Sequence, residues 1–205
     1  LRRASAYGKA PALAIVIRQF FADTGGTRPL IVMGVFKDPL LRMAKLMDRF
    51  NREFEEASKT PGSDTDIPRP IRYAMYTGAE SPKQRSKTVE EFQAGNIDVL
   101  FYSIPLGTGT TLTASSDVFF IERLWRPSDQ VQAEDRVHRI GQTKGVMITY
   151  FDATGTVDTQ MAMLLLDKVD AAAEVIDGVQ LSRNESLALV YGEMTHKLHK
   201  SFGGT

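Results

Sequence analysis

The chain alternates between short apolar runs and longer stretches in which apolar residues recur every three or four positions. Five runs stand out: residues 30–36 (LIVMGVF), 71–76 (IRYAMY), 97–103 (IDVLFYS), 118–121 (VFFI) and 146–151 (VMITYF). Most are apolar on both phases of the alternation, the pattern of strands covered on two faces. Helical periodicity fills the gaps. Residues 9–21 (KAPALAIVIRQFF) read as a helix with Pro11 in its first turn, broken by Asp23-Thr24-Gly25-Gly26. Pro39 opens a second helix, with Leu40, Leu41, Ala44, Leu46 and Met47 in period, running to about Ala57; a polar, proline-rich loop follows over 58–70. Ser81-Pro82-Lys83-Gln84 combines an N-cap, a proline at the first helical position and a capping-box glutamine. That helix turns Val89 and Phe92 inward and stops at Gly95. Residues 157–176, behind Thr156 as N-cap, form a long amphipathic helix whose methionines and leucines serve core or bracing contacts. Strands alternating with helices predict an α/β fold: a parallel sheet flanked by helices on both faces. A last helix over 185–200 predicts a C-terminal helical extension.

Composition changes this picture little. At 205 residues the chain is one large domain or one domain with a tail, and its 42% hydrophobic content suffices for a buried core without any run approaching a membrane span. Lys plus Arg and Asp plus Glu are 25 each, so net charge argues neither for nor against nucleic acid, and a local basic cleft is compatible with a neutral total. The absence of cysteine excludes disulfides and thiolate metal sites and fits an intracellular protein. The chain starts at Leu1 without a signal peptide and reads as part of a longer protein. His196 and His199 lie at helical spacing with no acid or cysteine to complete a metal site and read as surface.

The chemistry concentrates in residues 132–144, QAEDRVHRIGQTK. With Ser128 as N-cap, Asp129 in the first turn and Gly141 as the stop, a helix places Gln132, Arg136 and Arg139 within roughly 60° of one another. Ala133, Val137 and Ile140 repeat that spacing one residue on as a buried stripe. Two guanidiniums on adjacent turns suit a polyanion such as a triphosphate. From spacing alone the alternative is favoured: a solvated basic face satisfied by Glu134 and Asp135. On this reading the arginine stripe is exposed, and replacing either arginine costs little stability.

The eleven residues QAEDRVHRIGQ resemble, without a gap, motif VI of the Swi/Snf-type ATP-dependent DNA translocases of helicase superfamily two. The resemblance implies that Arg136 and Arg139 reach across a cleft to ATP held by another lobe, with Gln132 beside them. Upstream, SIPLGTGTTLTASSD (103–117) supplies glycines for close backbone approach and threonine hydroxyls, and resembles motif V at the right distance. It implies an ATP-site contact at Gly107 and DNA-backbone contacts at Thr108, Gly109, Thr111 and Thr113. The family more often has two consecutive glycines where this chain has Leu106-Gly107. Trp125-Arg126-Pro127 resembles the family's W-x-P segment, which makes Trp125 either a residue approaching a DNA groove or a half-buried closure of the core. Lys37, Thr77, Gly78 and Arg85 match the region that binds one strand's phosphates. The likeness runs from about residue 11 to 176 and, through TGAESPKQR and QAEDRVHRIGQ, leans toward the annealing-helicase branch.

No G-x-x-x-x-G-K-[ST] loop and no Asp-Glu-x-His box occurs in the sequence. The resemblance therefore implies a second RecA-like lobe, over 1–178 with an extension over 179–205. Its partners would be a first, N-terminal RecA-like lobe of the same protein, which holds most of the ATP and Mg2+ contacts, and DNA, double-stranded or forked. No membrane is implied. The compartment implied is the nucleus in a eukaryote, the cytoplasm in a bacterial or viral setting. Two other readings stand beside it: a non-catalytic DNA- or protein-binding module derived from such a lobe, against which the retained arginines and Gln132 argue, and an RNA helicase of the same superfamily.

Overall fold

Five strands lie in one all-parallel sheet in the computed structural model, which describes residues 1–60, 65–106, 110–139 and 141–177. In chain order they are β1 (Leu30–Gly34), β2 (Tyr73–Tyr76), β3 (Val99–Ser103), β4 (Asp117–Phe120) and β5 (Met147–Tyr150), arranged β2-β3-β1-β4-β5. β1 is central, with Leu30 in register with Val99 on one side and Asp117 on the other. The helices are α1 (Arg2–Asp23), α2 (Lys37–Ala57), α3 (Pro82–Gln93), α4 (Pro127–Glu134) and α5 (Val157–Asp177), and a 3-10 turn, Ile104–Leu106, follows β3.

The period-2 rule divides the strand side chains between two cores. Leu30, Val32, Val99, Phe101, Phe119 and Ile121 pack with α1 and α2 through Leu13, Ile17, Phe21, Leu40, Met43 and Met47. The alternate residues, Ile31, Met33, Leu100, Tyr102, Val118 and Phe120, face Phe92 of α3, Ala133 of α4 and Val137. Helices cover both faces, which is why the strands read as continuous apolar runs. The RecA-like architecture expected from the sequence is the one observed.

Local signals account for several boundaries. Ser81 and Gln84 form the reciprocal capping box with Pro82 at the start of α3, and Gly95, just past its end, sits at φ +77. The Thr156 hydroxyl accepts the N–H of Asp158 at 3.2 Å as cap of α5. α1 departs from expectation: it begins at Arg2, so Pro11 lies well inside it and not in its first turn. A proline there leaves the carbonyl four residues back without its helical donor. The Arg42 side chain of α2 donates to that carbonyl, Tyr7 O, at 2.6 Å and lies 4.4 Å from the Tyr7 ring centroid. The proline is tolerated because a neighbouring helix supplies the missing donor.

At the amino ends of the strands, buried Asp98 accepts from Arg69, from the Arg72 guanidinium and from the Arg72 N–H, at 2.6–3.1 Å. Burial pushes its carboxyl up, but these hydrogen bonds outweigh burial and hold it below the usual carboxylate range. This network pins the segment before β2. The extension over 179–205, with His196 and His199, lies outside the described residues, as do Gly107, Thr108, Gly109 and Ile140.

Candidate functional site

In an open parallel sheet, loops at the carboxyl ends of the strands carry the chemistry. The described candidate residues lie there, on the helix that follows or, for Arg136 and Arg139, beyond that helix. Lys37 is exposed at the start of α2, directly after β1. Thr77 and Gly78 follow β2 and lead into α3 with Arg85; Thr111 and Thr113 follow β3; Trp125 follows β4; the arginines follow α4.

The arginine segment is the main correction. α4 starts at Pro127 with Arg126 as N-cap, not Ser128, and ends at Glu134 with Asp135 as C-cap, so Arg136 and Arg139 lie beyond the helix. The cause is tertiary. The Arg136 carbonyl accepts the N–H of Leu112 at 3.0 Å, Arg139 Nη1 donates to Thr111 Oγ1 at 2.8 Å, and Gln142 Nε2 donates to the carbonyls of Thr113 and Ser115. The Leu112 bond takes a carbonyl that would have continued the helix, and the two side chains tether the segment to 111–115. Ala133 and Val137 are buried as the stripe predicts. Arg136 is not on an exposed face: it is 8% exposed, and its Nη1 donates to Tyr102 Oη at 3.0 Å. Its Nε has no hydrogen-bond partner among the described residues. Arg139 and Gln132 are exposed, Gln132 on α4 and Arg139 beyond it. The exposure on which cost-free removal was expected is present at Arg139 and absent at Arg136.

A groove of about 650 Å3 runs along α3 between Tyr76, Arg85, Ser86 and Gln93 on one side and Thr110 and Thr111 on the other. It brings together two regions that the sequence separates by some 25 positions. Gln93 ties them: its Nε2 donates to Thr111 O and Thr113 Oγ1, and its Oε1 accepts the Ala114 N–H at 2.7 Å. Arg85 donates to the carbonyls of Glu80 and Thr77 at 3.0 and 3.3 Å, and its guanidinium lies 5.8 Å from the Tyr76 ring centroid. Gly78 is exposed. Thr77 is fully buried and its hydroxyl donates to Glu80, so its side chain does not face the groove as expected.

Trp125 is 52% exposed, so about half of the side chain is open to solvent. Lys168 of α5 donates to its carbonyl at 3.1 Å and holds its ammonium 5.3 Å from the indole centroid, beside exposed Arg126. Just before it, Glu122 is 3% exposed; Oε2 accepts the N–H of Val35 at 2.8 Å. Burial pushes its carboxyl up to about 7 despite that N–H and the charges of Lys9 and Arg2. A Cβ at Gly34 would stand 2.7 Å from Ile121 and 3.2 Å from Glu122, so the glycine permits this close approach. Sequence reading singled out neither Glu122, Tyr76, Tyr102, Gln93 nor Lys168. Their positions carry no motif, and their hydrogen-bond partners named here lie 18 to 87 positions away.

Residues 47–141 match the family described as the helicase conserved C-terminal domain. Over that stretch the chain resembles a helicase C-terminal lobe. The human DNA annealing helicase and endonuclease ZRANB3 is 40% identical over 109 residues, 52% of this chain and 10% of that protein. The DNA repair protein RAD5A of Arabidopsis thaliana is 37% identical over 123 residues, 58% and 12% of the two chains. The chain thus spans about a tenth of the length of the curated relatives it matches. Among solved structures, the C-terminal part of the Fun30 ATPase domain superposes with a TM-score of 0.61 at 20% identity, covering 92% of this chain and 54% of that one. The helicase domain of Pyrococcus furiosus Hef gives 0.50 at 17% identity, covering 74% and 27%. These last two speak for the fold alone; the resemblance to Swi/Snf-type proteins holds.

Proposed function

We propose that this helicase lobe, over 1–178 with an extension over 179–205, is the second motor lobe of an ATP-dependent DNA translocase of the DNA-repair or chromatin-remodelling type. It presents Arg136 and Arg139 to ATP bound on a first RecA-like lobe and holds a DNA backbone against its own surface. One observation carries this reading: Thr111, which lines the groove beside Arg85, accepts the hydrogen bond of Arg139. A backbone gripped in the groove and a triphosphate met by the arginines would share one hydrogen-bonded segment.

The donor set suits phosphate. Arg139 is exposed with one neutral partner, and Arg136 carries a buried Nε with none among the described residues. ATP, when bound, supplies the phosphoryl group whose developing negative charge two guanidiniums stabilise. Among the described residues no group of three or more His, Cys, Asp or Glu is placed to hold a metal, so Mg2+ is assigned to the first lobe. Lys37, Gly78, Arg85, Thr111, Thr113 and Trp125 form the DNA side, with Thr77 holding Glu80 beneath Arg85. By the motif, Gly107 is assigned to the ATP site and Thr108 and Gly109 to the DNA backbone, with Gln132 beside the arginines on the ATP side. The names of the relatives, a DNA annealing helicase and a DNA repair protein, favour DNA over RNA. Acting on DNA, the protein would work in the nucleus of a eukaryote or the cytoplasm in a bacterial or viral setting; among the described residues no helix is long and apolar enough to cross a membrane.

The test is duplex-stimulated ATP hydrolysis by the protein carrying both lobes. Arg139→Ala should lower kcat by about 10³-fold or more, since an arginine finger is worth roughly 10³–10⁵. The urea midpoint should not move, and Arg139→Lys should restore little, because an ammonium cannot reproduce the planar fork. Near-normal turnover in Arg139→Ala would sink the proposal.

A further inference from the structure

We propose that Tyr102 is a positioning residue that stows Arg136 inside the lobe, and that occupancy of the neighbouring groove loosens this hold. The inference rests on the reading of Arg136 as a phosphate ligand. A side chain that must reach a separate lobe does not start from a buried position by default, yet Arg136 is 8% exposed and turned onto β3. There it is under-satisfied. A guanidinium offers five N–H donors; Nη1 meets Tyr102 Oη at 3.0 Å, while Nε is buried without a partner among the described residues. Tyr102 thus holds the arginine by a charge-assisted hydrogen bond, and an acceptor-rich triphosphate offers it more.

The surroundings allow release without unfolding. The backbone at residue 136 is anchored apart from its side chain, by the bond from Leu112 N to Arg136 O and by buried Val137. Tyr102 is itself 0% exposed and stacked on Tyr76, with centroids 4.6 Å apart and planes at 21°. Tyr76 reaches the groove: its hydroxyl lies 3.4 Å from Thr110 Oγ1, and Arg85 sits over its ring. A phosphate that draws Arg85 off Tyr76 removes one face of the stack that fixes the Tyr102 hydroxyl. The groove is thereby connected to Arg136 through two rings and one hydrogen bond.

The experiment is Tyr102→Phe in the protein carrying both lobes, which deletes one oxygen and keeps the stack. Reaction of Arg136 with phenylglyoxal is followed by peptide mapping without nucleotide, alongside ATP hydrolysis with and without duplex DNA. Losing a hydrogen bond to a charged group should shift the stowed-to-released balance about ten-fold or more. Labelling of Arg136 and DNA-independent hydrolysis should both rise by roughly that factor, while the stimulated rate stays near wild type, so the stimulation ratio falls. In wild type, Arg136 should label far more slowly than exposed Arg139; equal rates would overturn the proposal without any variant. Unchanged labelling in Tyr102→Phe, or an equal fall in basal and stimulated rates, would overturn it as well. Arg136→Ala separates the two readings. If it abolishes turnover while Tyr102→Phe changes nothing, the motor stands and the stowing falls. If it leaves turnover intact while Tyr102→Phe unmasks Arg136, the stowing stands and the phosphate role falls.

Discussion

Replacing Glu122 by glutamine should stabilise this lobe at neutral and higher pH and leave it unchanged in acid. The carboxyl is 3% exposed at the end of β4, with Oε2 on the Val35 N–H and Oε1 without a partner among the described residues. Burial raises its value from the ordinary 4.5 to about 7. A folded-state value above the unfolded one means that the native state binds the proton more tightly. The associated stability is therefore complete below about 4.5 and is lost as pH rises to about 7. That interval, at about 1.4 kcal/mol per pH unit, amounts to about 3 kcal/mol. Glutamine keeps the acceptor for Val35 N–H and cannot ionise. Urea unfolding of both proteins between pH 4.5 and 8 gives the test, because contributions common to both cancel in the difference. Asp98 and Asp158 lie below the usual carboxylate range, so their contributions have the opposite sign and are lost only at more acid pH. The variant should pull ahead of wild type steadily between pH 4.5 and 7 and then hold its lead. A difference that is flat with pH would refute the reasoning, for it would mean that water or a counter-charge already satisfies the carboxylate. The β1–α2 turn that carries Lys37 is held by this side chain, so the same titration bears on the DNA surface.

Asp98→Ala should lower stability by about 2–3 kcal/mol, the scale of hydrogen bonds to a charged group discounted because Arg69 and Arg72 are 38% and 47% exposed and can rehydrate; an unchanged urea midpoint would contradict this. Trp125→Ala should change stability by less than about 1 kcal/mol, since the indole is half exposed, yet weaken binding of the chain to duplex DNA in fluorescence anisotropy at low salt. A large loss of stability with unchanged DNA affinity would reverse that assignment.

The alternation of apolar runs with helical periodicity determined five strands, their covered faces and most helix boundaries, because each depends on neighbours within one turn or one pleat. Ser81 and Gln84 cap α3 and Gly95 ends it as the local pattern requires. The motif spellings placed most described candidates at the carboxyl edge or on the helix that follows, but not Arg136 and Arg139, which lie beyond α4. Tertiary structure decided wherever a local preference met a better partner far along the chain. Pro11 sits inside α1 since Arg42, 35 residues from the carbonyl it rescues, supplies the donor. α4 stops at Glu134, short of the glycine at 141, because the 111–115 segment takes the Arg136 carbonyl and tethers the side chains of Arg139 and Gln142. Helical periodicity put Arg136 and Arg139 on one exposed face, whereas Tyr102 drew Arg136 into the core and left Arg139 outside. Periodicity reports the angle between side chains on a continuous helix. It cannot report where the helix ends when a segment 20 or more residues away competes for its backbone.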